Sequence, residues 1–151
     1  RIADYSKNIA KRTRVLLELR SIEGSPAALR RMAREVELML GDALNAYVQQ
    51  DQALALAVIE RDEAVDQIYN TLFREFLTFM MEDPRNITAC MHLHFIAENI
   101  ERMGDHVTSI AEQVVFYASG EKPTDERTKA DITSSDATLS GMNPTRSTGA
   151  E

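Results

Sequence analysis

From Ile2 to about Ser119, apolar residues recur every three or four positions, the period of a helix with one buried face. Ile2, Ile9, Thr13, Leu16 and Leu17 form a first stripe over residues 1–20, flanked by Lys7, Lys11, Arg12 and Arg14. Gly24, ending the stretch Ser21-Ile22-Glu23-Gly24, supplies a left-handed stop for this helix. Ser25-Pro26 then reads as an N-cap followed by proline at the first helical position. A second helix is expected from about Pro26 to Gln50, burying Leu29, Met32, Val36, Met39, Leu40, Ala43, Tyr47 and Val48. Asp51 is placed to cap a third helix, about Gln52 to Met81, with Leu54, Val58, Val65, Ile68, Tyr69, Leu72 and Phe76 on one face. Asp83-Pro84 repeats the cap-then-proline signal. The fourth helix runs to about Ser119, closes at Gly120, and carries Leu93, Ile96, Ile100, Met103, Val107, Ile110, Val114 and Val115. From Glu121 to Glu151 the apolar period stops. That stretch cannot bury enough surface to offset its ordering entropy, so a disordered polar tail is expected at 121–151.

Connections of only a few residues between long helices require antiparallel neighbours. The predicted fold class is all-α: an elongated antiparallel three-helix bundle built from helices 26–50, 52–81 and 84–119. The first helix is left over, and an internal echo suggests what it is. Arg1-Ile2-Ala3-Asp4-Tyr5-Ser6-Lys7-Asn8-Ile9-Ala10 matches Arg102-Met103-Gly104-Asp105-His106-Val107-Thr108-Ser109-Ile110-Ala111 at Arg, Asp, Ile and Ala, an offset of 101 positions. That offset suits one three-helix unit. Residues 1–22 therefore read as the final helix of a truncated upstream repeat, 25–120 as a complete repeat, and 121–151 as the tail. Because Arg1 stands inside a helical pattern without a cap, the chain reads as a fragment.

Composition narrows the class. The 151 residues suffice for one domain, and the 44% apolar share can supply its core. Absence of tryptophan and few glycines and prolines agree with an all-helical protein. A formal net charge of −7 argues against general nucleic-acid binding. Cys90 is the only cysteine, which rules out an internal disulfide and a cysteine zinc site and suits a reducing cytosol. The longest near-apolar run, Ala53 to Ile59, is far below the roughly 20 residues of a membrane span, and no signal peptide is visible.

The candidate chemistry is acidic. Glu101 and Asp105 lie four residues apart on one helical face, with His94 and Glu98 before them and Glu112 after. Like charges at this spacing cost a few tenths of a kcal/mol per pair, roughly, so a positive partner would relieve the stripe. On the third helix Asp62 and Asp66 repeat the spacing, on the flank of the apolar stripe. If the two helices are antiparallel about Met81–Asp83, residue 62 is level with residues 100–105 and the pairs can converge. Four carboxylates across a helix seam would make an oxygen-rich cation site. The plain alternative is hydrated surface acids. Glu98, His94 and, through the echo, Asp4 are supplementary candidates, although a lone His94 is more simply an exposed histidine. His92 and His106 project to other faces and are expected at the surface. Arg102 is positioned to pair with Glu98, and Phe73, Phe76, Phe79, Met80 and Met81 are expected to be core packing.

Enzymatic signatures are missing. The residues three before the histidines are Ala89, Met91 and Met103, so the Glu-x-x-His pattern of di-iron bundles is absent. There is no glycine-rich phosphate loop, His-Glu-x-x-His motif or Gly-x-Ser-x-Gly elbow.

Glu101-Arg102-Met103-Gly104-Asp105-His106 followed by Ile110-Ala111-Glu112 resembles the PhoU family of phosphate-signalling regulators. Asp62-Glu63-Ala64-Val65-Asp66 resembles the family's middle-helix motif, and Arg1-Ile2-Ala3-Asp4 with Asn8-Ile9-Ala10 the end of its first repeat. The resemblance covers residues 1 to about 120 and departs at Ser109, where the family more often has asparagine, as at Asn8. It implies two tandem three-helix repeats and a non-enzymatic cytoplasmic adaptor, peripheral at the inner membrane through its partners. Those partners would be a phosphate ABC transporter ATPase and a sensor histidine kinase, in repression of the phosphate-starvation response. It also implies transition-metal binding, iron or zinc in multinuclear clusters, with Asp62, Asp66, Glu101 and Asp105 as the ligands carried over. Exposed apolar surface on the first helix leads us to expect a homo-oligomer or a swapped arrangement. A metal-free helical interaction module is the alternative, and a carboxylate-metal enzyme a more distant one.

Overall fold

The computed structural model describes residues 1–121 other than residues 20 and 23; beyond Glu121 the expected tail lies outside the described residues. Four α-helices follow one another: α1 (Ile2–Leu16), α2 (Ser25–Gln49), α3 (Gln52–Glu82) and α4 (Ile87–Ser119), the last preceded by a 3-10 turn at Pro84–Asn86. No strand occurs among the described residues. The all-α bundle expected from the hydrophobic period is the observed fold.

Local chemistry sets most boundaries where the pattern placed them. The Asp51 carboxylate accepts a hydrogen bond from the Leu54 N–H at 3.0 Å, capping α3. Asp83 accepts from the Arg85 N–H at 3.0 Å and starts the 3-10 turn. Gly120, at φ 75°, ends α4 in the left-handed region that only glycine enters without strain. The start of α2 differs. Gly24, at φ 80°, takes the N-cap position, while Ser25 is buried and donates its hydroxyl to the Ile22 carbonyl at 2.8 Å. The first helix also ends early, at Leu16. Its last turn tightens into bonds from Glu18 to Val15 and from Leu19 to Leu16, and Leu17 is left 82% exposed.

The three longer helices form an up-down-up bundle. α3 runs antiparallel to α2, from which only Gln50 and Asp51 separate it, and antiparallel to α4, where Gly104 faces Asp62 while the earlier His94 lies against the later Tyr69 and Phe73. Their buried positions step alternately by three and four: Leu29, Met32, Val36, Met39, Ala43 and Ala46 on α2. This averages 3.5 residues, the period of helices that supercoil around a common seam. It explains the two misassigned positions on α2. Tyr47 and Val48 are exposed, because the 3.5-residue seam continues to Ala46, which is fully buried. Met81 is likewise exposed, lying past the last seam residue of α3, Phe76.

α4 is the central helix. One seam runs through Cys90, Leu93, Ala97, Ile100, Gly104, Val107, Ala111 and Val114, while Ala89, Ile96 and Val115 are also buried. It needs the wider apolar arc because it packs against all three other α-helices, whereas α1 packs against α4 alone. No α1 residue is fully buried; Ile2, Ile9 and Leu16 rest half-covered on the core.

Candidate functional site

The seam of α3 has one polar interruption. Ala55, Val58, Val65, Tyr69, Leu72 and Phe76 keep the three-four rhythm, and the slot between Val58 and Val65 is Asp62. Across from it α4 presents Gly104, the smallest residue in its own seam. The Asp62 Oδ1 lies 3.4 Å from where a Cβ on residue 104 would stand, with Val36 and Val65 each 3.6 Å from the same point. Gly104 thus leaves room for a carboxylate where α2, α3 and α4 meet. The register expected from the antiparallel arrangement, residue 62 level with 100–105, is the register found.

Asp66, one turn on from Asp62, and Glu101 and Asp105, on either side of Gly104, are half-buried like Asp62. The donor set is therefore all carboxylate, the type that suits hard or borderline cations. Among the described residues, however, no three His, Cys, Asp or Glu side chains are gathered as a metal ion would require. Coordination would need these carboxylates to turn toward one point. Each of the four already takes part in an interaction within the structure. Ser109, at the position where the motif departs from its usual asparagine, donates its hydroxyl to the Asp105 carbonyl at 2.9 Å and remains exposed.

The supplementary candidates separate. Glu98 accepts from Arg102 at 2.7 Å, the pairing expected from their spacing. Asp4 is exposed in the first turn of α1. His94 is not a surface histidine: its ring stacks on Tyr69 at 5.9 Å and lies 5.4 Å from Phe73 and 6.0 Å from Phe95. Its Nδ1 is buried with no hydrogen-bond partner among the described residues. His92 and His106 are half-buried too, because α1 covers them. The Tyr5 hydroxyl lies 3.2 Å from His106 Nε2 with the rings stacked, and Arg12 Nη1 lies 3.4 Å from His92 Nδ1.

Two functional-looking contacts escaped sequence reasoning. Arg61 of α3 bridges Glu35 and Asp42 of α2, each at 2.7 Å. Burial alone would lower its pKa, but the two carboxylates outweigh that and hold the guanidinium above its ordinary value. The seven-residue spacing of Glu35 and Asp42 was the available signal, since it puts both acids on one edge of α2. The second contact joins Tyr5 and His106, which occupy the same place in the internal echo and are separated by its offset of 101 positions. The echo, which aligns these two positions, was the available signal for this contact.

Comparison with known proteins agrees with this architecture. Residues 29–114 match the PhoU domain. A Caulobacter vibrioides protein named phosphate-specific transport system accessory protein PhoU homolog is 46% identical over 134 residues, covering 89% of this chain and 58% of that protein. A Rhizobium meliloti protein of the same name is 45% identical over 134 residues, covering 89% of this chain and 56% of that protein. The crystal structure of PhoU from Pseudomonas aeruginosa superposes with a TM-score of 0.74 at 35% identity, covering 78% of this chain and 56% of the other. The chain thus spans a little over half the length of these relatives. With more than half its own length matching the domain, and with the helical bundle to go with it, the chain belongs to the PhoU family.

Proposed function

We propose that this chain acts in the regulation of phosphate uptake, as an accessory to a phosphate-specific transport system. The observation that carries the reading is the 46% identity with a relative bearing that name, on a bundle whose acid motifs flank the α3–α4 seam. In this reading the protein is a non-enzymatic cytoplasmic adaptor. It joins the transporter ATPase to a sensor histidine kinase and represses the starvation response when phosphate is plentiful. No helix among the described residues is long and apolar enough to cross a membrane. The deciding experiment is co-purification of the chain with both partners, alongside a phosphate-starvation reporter in cells lacking the native regulator. Recovery of the ATPase together with restored repression supports the reading; loss of both overturns it.

Metal binding at Asp62, Asp66, Glu101 and Asp105 is the second part of the proposal, with iron or zinc as the ions. Its support is the apposition of Asp62 with the Glu101–Asp105 turn at Gly104. Metal analysis of the wild type against the double variant Asp66→Ala/Asp105→Ala tests it. Equal metal content in the two proteins removes the metal site and leaves a metal-free helical interaction module. Partner binding retained by a metal-depleted double variant would separate the adaptor role from the metal.

A further inference from the structure

Away from the acid motifs, α1 and α4 enclose a cleft of about 350 Å³ lined by Asn8, Lys11, Arg12, Val15, His92 and Asn99. Its composition runs against that of the chain. The protein carries a net charge of −7, yet this cleft holds two cations, two amides and an imidazole, with no acid among the lining residues. We propose that it is a binding site for a free tetrahedral oxyanion of the phosphate class.

Arg12 is the anchor. Its guanidinium carbon lies 4.4 Å from the centroid of the Phe95 ring, which holds the flat group by cation–π attraction. Its Nη1 lies 3.4 Å from His92 Nδ1, a contact in which the guanidinium can only be the donor. The remaining N–H donors are left for a ligand. Neither Arg12 nor Lys11 has a carboxylate ion-pair partner among the described residues. Two cations without a carboxylate partner among the described residues, one of them a planar fork of N–H donors, supply the charge and the donor type that a tetrahedral oxyanion takes.

The amides are positioned as well. Asn99 donates to the Phe95 carbonyl at 2.6 Å and accepts from the Asn8 amide at 3.5 Å, which sets the orientation of both side chains. Lys11 lines the cleft while remaining exposed, a point charge on a long stem. The cleft exceeds the size of a bare oxyanion, so the ligand enters with part of its water, and binding in such an open site is weak, about millimolar. Its lining comes from both helices, so an occupied site ties α1 to α4, the one helix against which α1 packs. Any ligand that bridges the two stabilises their docking by mass action.

The inference rests on the cleft and not on the transporter reading, and it is tested on the isolated chain. Inorganic phosphate is titrated at low ionic strength while the Arg12 side-chain N–H and the α1 backbone amides are followed by nitrogen-15 NMR. Sulfate and acetate are titrated in parallel. The expected result is saturable shifts at Asn8, Lys11, Arg12 and Asn99, slower hydrogen exchange across α1, competition by sulfate, and much weaker binding of acetate. Lys11→Glu changes an exposed side chain and should weaken phosphate roughly tenfold or more, the scale of one charge-assisted hydrogen bond. Arg12→Gln should abolish saturation. The proposal is overturned if Lys11→Glu leaves the titration unchanged, if the shifts spread equally to Lys7 and Arg14 as general charge screening would, or if acetate binds as well as phosphate.

Discussion

Gly104 and Cys90 show what a single seam position can demand. An added methyl at Gly104 would meet Asp62 Oδ1 at 3.4 Å and two valine methyls at 3.6 Å, ordinary van der Waals distances. Alanine is the better helix former, so Gly104→Ala should leave stability unchanged or raise it by about 0–1 kcal/mol. Gly104→Leu should cost about 1–3 kcal/mol, because the larger side chain must displace the Asp62 carboxylate. Urea midpoints for the two variants check the pair; equal loss in both would mean the seam tolerates no side chain at all. Cys90 is fully buried, and burial pushes its thiol above the ordinary value of 9.0. The native state therefore favours the protonated form. That preference is intact below pH 9.0, where the unfolded thiol is also protonated, and is lost as pH rises toward the raised native value. Wild type should lose stability above pH 9.0 more steeply than Cys90→Ala, measured by denaturant titration at several alkaline pH values. Parallel slopes would refute the assignment. Cys90 stood out in the chain only as the single cysteine, not as a seam residue; the acids around Gly104 stood out, while the glycine that makes room for one of them did not.

Between elements, Arg61 is the informative contact. It ties α3 to α2 through two carboxylates whose side chains, like its own, remain about a third exposed: 32% for Arg61, 29% for Glu35 and 38% for Asp42. Solvent screening makes such pairs weak individually, but one guanidinium serving two acids is a small network. Arg61→Met, which keeps the aliphatic stem, should cost about 1 kcal/mol, with much of that loss already present in wild type at high salt. A double-mutant cycle with Glu35→Gln measures the coupling, and additive effects would show that the bridge contributes nothing. The helices themselves were readable from apolar spacing, down to the Asp51 cap and the Gly120 stop. The faces were less so. A pure 3.6-residue period admits Tyr47 and Val48 into the core; only the supercoil, with its 3.5-residue seam, selects Ala46 instead.

Across the whole molecule, α2, α3 and α4 share a core to which α1 is an addition. Because α1 buries no residue fully and packs on one helix, it should open without unfolding the bundle. Native-state hydrogen exchange should find the α1 amides the least protected among the four helices. Tyr5→Ala, by removing the stacking on His106, should speed their exchange further while leaving the exchange of α3 unchanged. Uniform protection across all helices would instead make the four a single cooperative unit. The apolar and polar order of the chain was enough to determine four helices, the Asp51 cap and Gly120 stop, their antiparallel sense and the register of residue 62 against the 100–105 turn, because each follows from spacing along one element or from short connections; the Ser25 cap and the Gly24 stop expected for the first helix were not found. Tertiary structure alone decided that Asp62 sits in the seam against Gly104, that His94 lies among aromatic rings, and that Arg12, Lys11 and two amides line one cleft. Those outcomes depend on which turn of one helix meets which turn of another, and that register is set by side-chain packing across helices far apart in the chain.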